Sequence, residues 1–373
     1  MPDNYILYGW KVSPYTQKTA AYLRYKGIPF TEEAPWIYKL SKQIPRHVGK
    51  MVMPVVESSD GQWWQDSSEI IDLFEQRYPE NPVLPETPKQ KLVANLLELH
   101  GDEWLCMSAL HYRWTTPENY KFAISEFGKN SLPYAPNFLR KKVGETIGRK
   151  MRSYMPRLGI EGAAAKGLEK YTMRFLQLLE EHLKQYPFVL GTKPCLGDFA
   201  LFGPLWAHLY RDPGTTCLFD NSPSVRAWFD RLLDPEAGAG EFLPDDEIPE
   251  SLEPIIQSIL AEQFEFCRTV IDGVDRYVES HPGAKRVSRV VGEGPFTVGG
   301  EKGHRVQLSY LQWMVQRTLL ARDDVPESGR VEMNEWLKSL GGENFMNTKI
   351  SHPIKRENYK EILEGSSGLN RKS

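Results

Sequence analysis

The stretch MVMPVVESSDGQWWQDSSEIIDLFEQR, residues 51–77, decides the fold of the N-terminal part of the chain. Val52–Glu57 is a short apolar run with Pro54 inside it. Because proline offers no N–H to a neighbouring strand, the run predicts either a strand that begins at Pro54 or a strand at the edge of a sheet. Asp60-Gly61 is a turn signal, since both residues tolerate the positive φ of tight hairpins. With Gln62–Gln65 as the second strand, the stretch predicts a β-hairpin.

A helix follows the hairpin directly. Asp66 or Ser67 is placed to cap it, and its apolar residues fall on one face: Ile70, Ile71, Leu73 and Phe74. The free N–H groups at such a helix start form an anion site. If the Met53–Pro54 bond is cis, as X–Pro bonds tolerate, the main-chain groups of Met53 point outward to an extended ligand. The pattern therefore suits a small acidic peptide, although an ordinary hairpin with a capped helix explains the same residues.

Val52-Met53-Pro54 followed by Gln65-Asp66-Ser67-Ser68-Glu69-Ile70 resembles the glutathione-binding half of glutathione transferases. The resemblance implies that Met53 and Pro54 hold the cysteinyl backbone of glutathione, which is then a co-substrate. It also implies that Asp66 and Ser67 hold the γ-glutamyl end.

The remainder of residues 1–85 agrees with this resemblance. Tyr5–Tyr8 predicts a strand, Ser13-Pro14 opens a helix as N-cap and first helical residue, and Gly27 ends it. A second strand begins near Ile28. The order β-α-β, then β-β-α, is that of an α/β thioredoxin-like domain.

Ser13 stands where the resemblance implies the catalytic serine of serine-type transferases. A free thiol has a pKa of about 8.5, so a hydroxyl that donates to the sulfur favours the thiolate, as does a helix N-terminus. Ser13 can equally be only a helix cap. Tyr8, at the end of the first strand, is a second catalytic candidate, and Thr16 is a weaker one. The absence of cysteine from residues 13–16 argues against redox chemistry at this position.

Other site residues rest on the resemblance alone. Lys39 and His47 are candidates to contact the glycine carboxylate of glutathione, although the cations of this segment equally suit a solvated face. The pocket for the second substrate is expected between the domains, with these residues as candidates: Trp10, Trp104, Met107 and Tyr112. Aromatic and methionine residues at helical spacing also suit a core.

Residues 86–245 predict an all-α domain like the C-terminal domain of the same family. Apolar residues recur at helical spacing, most clearly over Leu168–Tyr186, whereas Thr115–Pro136 shows no clear pattern. Cys195 and Asp198 stand where the family has a helix capping box, so Asp198 is expected to be structural.

Residues 246–373 exceed the expected length of a transferase and predict an additional α+β extension. Ile255–Tyr277 is an amphipathic helix, Arg286–Val291 and Pro295–Val298 are strand-like, and Gly299-Gly300 marks a hairpin turn. The extension can wrap the helical domain, cover the active site or build an interface.

Composition excludes several functions. The formal net charge of the 373 residues is −3, so no nucleic-acid partner is expected, and no apolar run is long enough to span a membrane. No secretory signal is expected, and the four cysteines suit free thiols in the cytoplasm. Neither the cysteines nor the histidines have metal-ligand spacing, so no metal is expected.

The resemblance implies a bacterial-like, serine-type glutathione transferase with a long C-terminal extension. Such an enzyme serves detoxification, commonly as a homodimer: Ser13 stabilises the glutathione thiolate, which attacks a small apolar electrophile. Two alternatives remain open at this stage. One is a binding or scaffold protein that keeps the fold without catalysis, and the other is a specialised glutathione-dependent lyase or dehalogenase.

Overall fold

The computed structural model describes residues 4–234 and 240–364. The first domain holds a four-stranded sheet of order β2-β1-β3-β4, in which β1 is parallel to β2 and antiparallel to β3. The strands are β1 (Tyr5–Tyr8), β2 (Phe30–Glu33), β3 (Val55–Glu57) and β4 (Trp63–Gln65), and the helices are α1 (Pro14–Tyr25), α2 (Ile44–Val48) and α3 (Ser67–Arg77). The predicted thioredoxin-like order is confirmed.

The sequence signals act as predicted in this domain. The hydroxyl of Ser13 accepts a hydrogen bond from the N–H of Thr16 and caps α1, whose first residue is Pro14. Gly27, at φ 63°, follows the helix, and Gly61, at φ 81°, makes the turn between β3 and β4. At these positive φ values most residues with a side chain are strained, whereas glycine is not.

The second domain is helical. It comprises α4 (Pro88–Glu103), α5 (Leu105–Thr115), α6 (Pro117–Ser131), α7 (Asn137–Arg152), α8 (Gly162–Leu183), α9 (Leu196–Pro204) and α10 (Pro223–Leu233). Asp198 accepts hydrogen bonds from the main-chain N–H groups of Cys195 (2.9 Å) and Val189 (3.1 Å) and from the indole of Trp228 (2.8 Å). Asp198 is therefore structural, as expected.

One expectation for this domain is wrong. Helix α6 lies inside the stretch Thr115–Pro136, which the sequence pattern left as irregular. Pro117 starts the helix at a position where its missing N–H is harmless. Only a narrow stripe that includes Ala123 and Phe127 is buried, so the apolar period is diluted by polar residues.

The extension forms an α+β unit, as predicted. It comprises α11 (Glu253–Ser258), α12 (Phe264–Ser280), β5 (Val290–Val298), β6 (Glu301–Leu308), α13 (Ser309–Asp323), α14 (Glu327–Ser339), α15 (Glu343–Asn347), β7 (Ile354–Glu357) and β8 (Lys360–Leu363). Strands β5 and β6 pair as one antiparallel hairpin and β7 and β8 as another. Helix α13 packs against α4 of the helical domain.

Buried polar contacts join the extension to the helical domain. The side chain of Gln263 donates to the carbonyl of Leu99 (3.0 Å) and contacts His100 Nδ1 (2.8 Å), while His100 Nε2 contacts the hydroxyl of Tyr171 (3.0 Å). Burial lowers the pKa of His100 to about 4. The extension is thus part of the common core rather than an appended tail.

Candidate functional site

The segment that decides the fold also forms one corner of the site. The Met53–Pro54 peptide bond is cis, and Met53 makes no main-chain hydrogen bond to another described residue. Asp66, at φ 81°, caps α3 by accepting from the N–H of Ser68 (3.1 Å). The segment before the interior strand β3 and the start of α3 therefore lie at one corner, where the main-chain groups of Met53 make no hydrogen bond to another described main-chain group.

A cavity of about 620 Å³ opens at this corner, and all three parts of the chain form its wall. The first domain contributes Tyr15, Lys50, Met51, Val52, Met53, Pro54, Gln65, Asp66 and Ser67, and the helical domain contributes Asp102, Glu103, Cys106, Met107, Leu110 and Leu158. The extension contributes Arg289, Arg305, Leu308, Tyr310, Tyr359 and Glu361. Of the three roles left open for the extension, the structure shows features of two, because the extension packs against the helical domain and also lines this cavity.

The extension is fastened to the corner through Asp66. The Asp66 carboxylate accepts from the hydroxyl of Tyr310 (2.9 Å) and from the guanidinium of Arg356, which also faces Glu69 at 3.3 Å. The Arg356 side chain is only 2% exposed and lies over the rings of Tyr310 and Trp313. A buried ion pair thus connects the β7–β8 hairpin to the start of α3.

The start of α1 is fixed from the helical domain. Arg113 Nη1 donates to the carbonyl of Val12 (2.8 Å), and His208 Nε2 contacts the same oxygen (3.1 Å). Arg113 is itself held by two hydrogen bonds of 2.7 Å to Asp212. Ser13, the next residue after Val12, therefore has a rigid support.

Ser13 is partly buried but does not line the cavity described above; α1 presents Tyr15 there instead. The hydroxyl of Tyr15 donates to the carbonyl of Asp102 (2.9 Å) and lies 3.4 Å from Cys106 Sγ. Burial raises the pKa of Tyr15 well above its usual value. Tyr15 is a wall residue that the sequence reasoning missed.

The geometry of Tyr8 does not support a catalytic role. Its hydroxyl donates to Glu57 (2.6 Å), and its ring stacks on Trp63 at 5.3 Å. Burial and the Glu57 carboxylate raise the pKa of Tyr8 well above its usual value. Tyr8 belongs to the core of the sheet and is absent from the cavity wall.

Lys39 and His47, expected to contact glutathione, lie away from the cavity wall. Lys39 pairs with Glu33 (2.7 Å) and sits over the ring of Tyr8 (4.1 Å), and His47 stacks on Trp63 at 4.1 Å. Both side chains have partners within their own domain.

Of the four residues expected to line the substrate pocket, the structure places Met107 in the cavity wall. Trp10 is buried, and its indole donates to the carbonyl of Pro35 (2.9 Å). Trp104 is buried behind the wall, with Arg305 over its ring. Tyr112 packs partly buried against the core. The two tryptophans and Tyr112 follow the alternative interpretation, in which such residues form a core.

Two family models match the chain. The N-terminal domain of glutathione S-transferases matches residues 7–82, and their C-terminal domain matches residues 147–235. The chain belongs to the glutathione S-transferase family. Residues 246–373 lie outside both matched ranges, so the extension is an addition to the two matched domains.

Solved transferase structures are similar to this chain. A glutathione S-transferase from Methylobacterium radiotolerans, in complex with glutathione sulfonate, is 20% identical; the match covers 61% of this chain and 90% of that one, with a TM-score of 0.37. A GST-like protein from Pseudomonas syringae is 21% identical, with 64% and 69% covered and a TM-score of 0.42. The beta-etherase LigF from Sphingobium sp. strain SYK-6 is 19% identical, with 62% and 95% covered and a TM-score of 0.41.

A buried ionic cluster beneath the cavity joins all three parts of the chain. Lys18 Nζ donates to Glu98 (2.8 Å) and Asp102 (2.6 Å), and Arg317 of the extension contacts Glu98 at 3.0 Å. Although burial alone would raise it, Arg317 and Lys18 hold the pKa of Glu98 well below its usual range. No sequence motif predicts this cluster, because its members lie far apart along the chain.

The described residues contain no group of His, Cys, Asp and Glu side chains suited to a metal ion. In the same part of the chain, no helix has both the length and the apolar character of a membrane span.

Proposed function

We propose that this transferase binds glutathione along Met53, Pro54, Asp66 and Ser67 and transfers its thiolate to a small electrophile held in the cavity. One observation carries the proposal: these four residues, which come from two different elements, line one cavity together with an apolar wall. Its volume of about 620 Å³ suits a ligand of tripeptide size with a small partner.

The corner matches the ends of glutathione chemically. The free main-chain groups of Met53 suit the extended cysteinyl backbone. The γ-glutamyl end carries one ammonium and one carboxylate. The Asp66 side attracts the ammonium, and the N-terminus of α3 attracts the carboxylate.

Ser13 stands outside the cavity wall, two residues before the wall residue Tyr15, and is proposed to stabilise the thiolate where bound glutathione reaches the start of α1. Its oxygen accepts the N–H of Thr16, so its own proton is free to donate to sulfur, and the start of α1 adds a positive potential. The sulfur then forms a bond to an electrophilic carbon. Either a leaving group departs with the electron pair of its own bond, or an activated double bond accepts the sulfur and takes a proton from solvent.

The test is a pH titration of the ultraviolet absorbance of the bound glutathione thiolate. We expect the wild type to lower the thiol pKa by about one unit or more. Ser13→Gly should restore the free value, because Gly keeps most of the capping energy but has no hydroxyl. Ser13→Thr should retain the shift, and Tyr15→Phe serves as the matched control for a first-helix hydroxyl.

Each other outcome has a defined meaning. A shift that survives Ser13→Gly and is lost in Tyr15→Phe assigns the role to Tyr15. Saturable glutathione binding with an unshifted thiol in the wild type rejects thiolate activation and favours a binding or scaffold protein. We also propose a cytoplasmic homodimer with a role in detoxification. A light-scattering mass of twice the chain mass would support the dimer.

A further inference from the structure

Arg305, on β6 of the extension, is the feature of the cavity that the proposed function does not use. It lines the cavity, and its side chain is buried, with the residue only 5% exposed. Its Nη1 donates to the thioether sulfur of Met107 (3.2 Å), a weak acceptor, and its Nε has no acceptor among the described residues.

Other buried arginines of the chain have carboxylate partners, whereas Arg305 makes no ion pair with a described residue. Arg113 pairs with Asp212, and Arg356 pairs with Asp66. The guanidinium of Arg305 instead lies 4.6 Å from the ring centre of Phe266 and 5.8 Å from that of Trp104. Aromatic faces offset only part of the desolvation of a buried cation.

No carboxylate of the described residues at this end of the cavity forms an ion pair or a hydrogen bond with the guanidinium of Arg305. Glu103 shares the cavity wall but forms no ion pair with Arg305; burial and the neighbouring Asp102 raise the pKa of Glu103 to about 8, although the charge of Arg305 lowers it. Asp102 is already paired with Lys18 at 2.6 Å. Burial likewise raises the pKa of the Cys106 thiol to about 12, which keeps it neutral.

We propose that Arg305 binds the carboxylate of the second substrate, so that this substrate is a small acid with an apolar body. A carboxylate fits the planar guanidinium with two parallel hydrogen bonds and would supply the acceptor that Nε lacks. The apolar body would lie on neighbouring wall residues: Met107, Leu110, Leu158 and Leu308. This specificity rests on the proposed function, because it treats the cavity as the substrate pocket.

Benzoate and benzamide are matched probes, since they share a shape and differ in charge. In calorimetric titrations we expect the wild type to bind benzoate roughly 10- to 100-fold more tightly than benzamide, the range of charge-assisted hydrogen bonds. Arg305→Met should remove the preference. Arg289→Met, which removes an exposed cation from the same cavity wall, should keep it.

Equal affinity of the wild type for the two probes overturns the proposal, and so does a preference that Arg289→Met abolishes and Arg305→Met leaves intact. The wild-type comparison decides even if Arg305→Met does not fold, which circular dichroism would reveal. A separate titration with glutathione keeps the two proposals apart: a benzoate preference without glutathione binding supports the anion site and rejects the transferase reaction.

Discussion

Replacement of Arg356 by Gln should open the cover of the cavity. Arg356 is the residue of the β7–β8 hairpin that forms ion pairs with Asp66 and Glu69 at the start of α3. Its side chain is 2% exposed, so the substitution removes a buried charge and leaves two carboxylates without their cation.

The magnitude follows from what the carboxylates retain. Removing one partner of a buried ion pair costs about 3–5 kcal/mol. Asp66 keeps the hydroxyl of Tyr310 and the N–H of Ser68, and Glu69 is 30% exposed to water. We therefore expect about 2–3 kcal/mol, which corresponds to a 30- to 150-fold increase in the opening equilibrium of the hairpin.

Native-state hydrogen–deuterium exchange with mass spectrometry measures this opening directly. The peptide that contains residues 354–363 should exchange faster in Arg356→Gln by that factor. Lys355→Gln is a matched control on the same strand, because Lys355 pairs with Glu357 and both side chains are substantially exposed. An exposed ion pair contributes about 0–1 kcal/mol, so this control should change exchange little.

Unchanged exchange in Arg356→Gln would refute the reasoning, as would an equal effect of the Lys355→Gln control. Either result would mean that the Arg356 ion pairs do not hold the extension over the cavity.

Three further predictions concern the support of the site. Tyr8→Phe should leave turnover within about twofold and lower the free energy of unfolding by about 1.5–3 kcal/mol, the contribution of a hydrogen bond to a carboxylate such as Glu57; a large loss of turnover with intact stability would contradict this. Arg113→Lys should lower the free energy of unfolding by about 3 kcal/mol in urea titrations, because Lys cannot replace both bonds to Asp212. The pKa of His100 is about 4 in the folded state against 6.5 in the unfolded state. Neutral His100 should therefore contribute up to about 3 kcal/mol to the free energy of unfolding above pH 6.5, and this contribution should disappear as the pH falls to 4. Urea midpoints that stay constant over this pH range would contradict the prediction.

Local signals allowed the first domain to be predicted. Ser13-Pro14, Gly27 and Gly61 each act within a few residues, so one stretch of chain suffices to interpret them. Local signals likewise pointed to Met53, Pro54, Asp66 and Ser67 as one group, and all four residues line the same cavity.

The extension's part in the site could not be predicted in this way. Arg305 and Arg356 reach the site only through tertiary packing, because their partners Met107 and Asp66 lie 198 and 290 residues away along the chain. Trp10 and Trp104 face the core for the same reason. One local signal for the β7–β8 hairpin was available. Asn358 lies between the segments that form β7 and β8, and asparagine tolerates the positive φ, here 49°, that the turn requires.

A calorimetric titration of glutathione into the wild type and Ser67→Ala tests the central claim most directly. Ser67 is 4% exposed, stands at the start of α3 and lines the cavity. The account predicts one saturable site per chain in the wild type and an affinity about tenfold weaker in Ser67→Ala, as loss of one hydrogen bond to a charged group implies. No saturable binding, or equal affinities for the two proteins, would contradict the placement of glutathione at this corner.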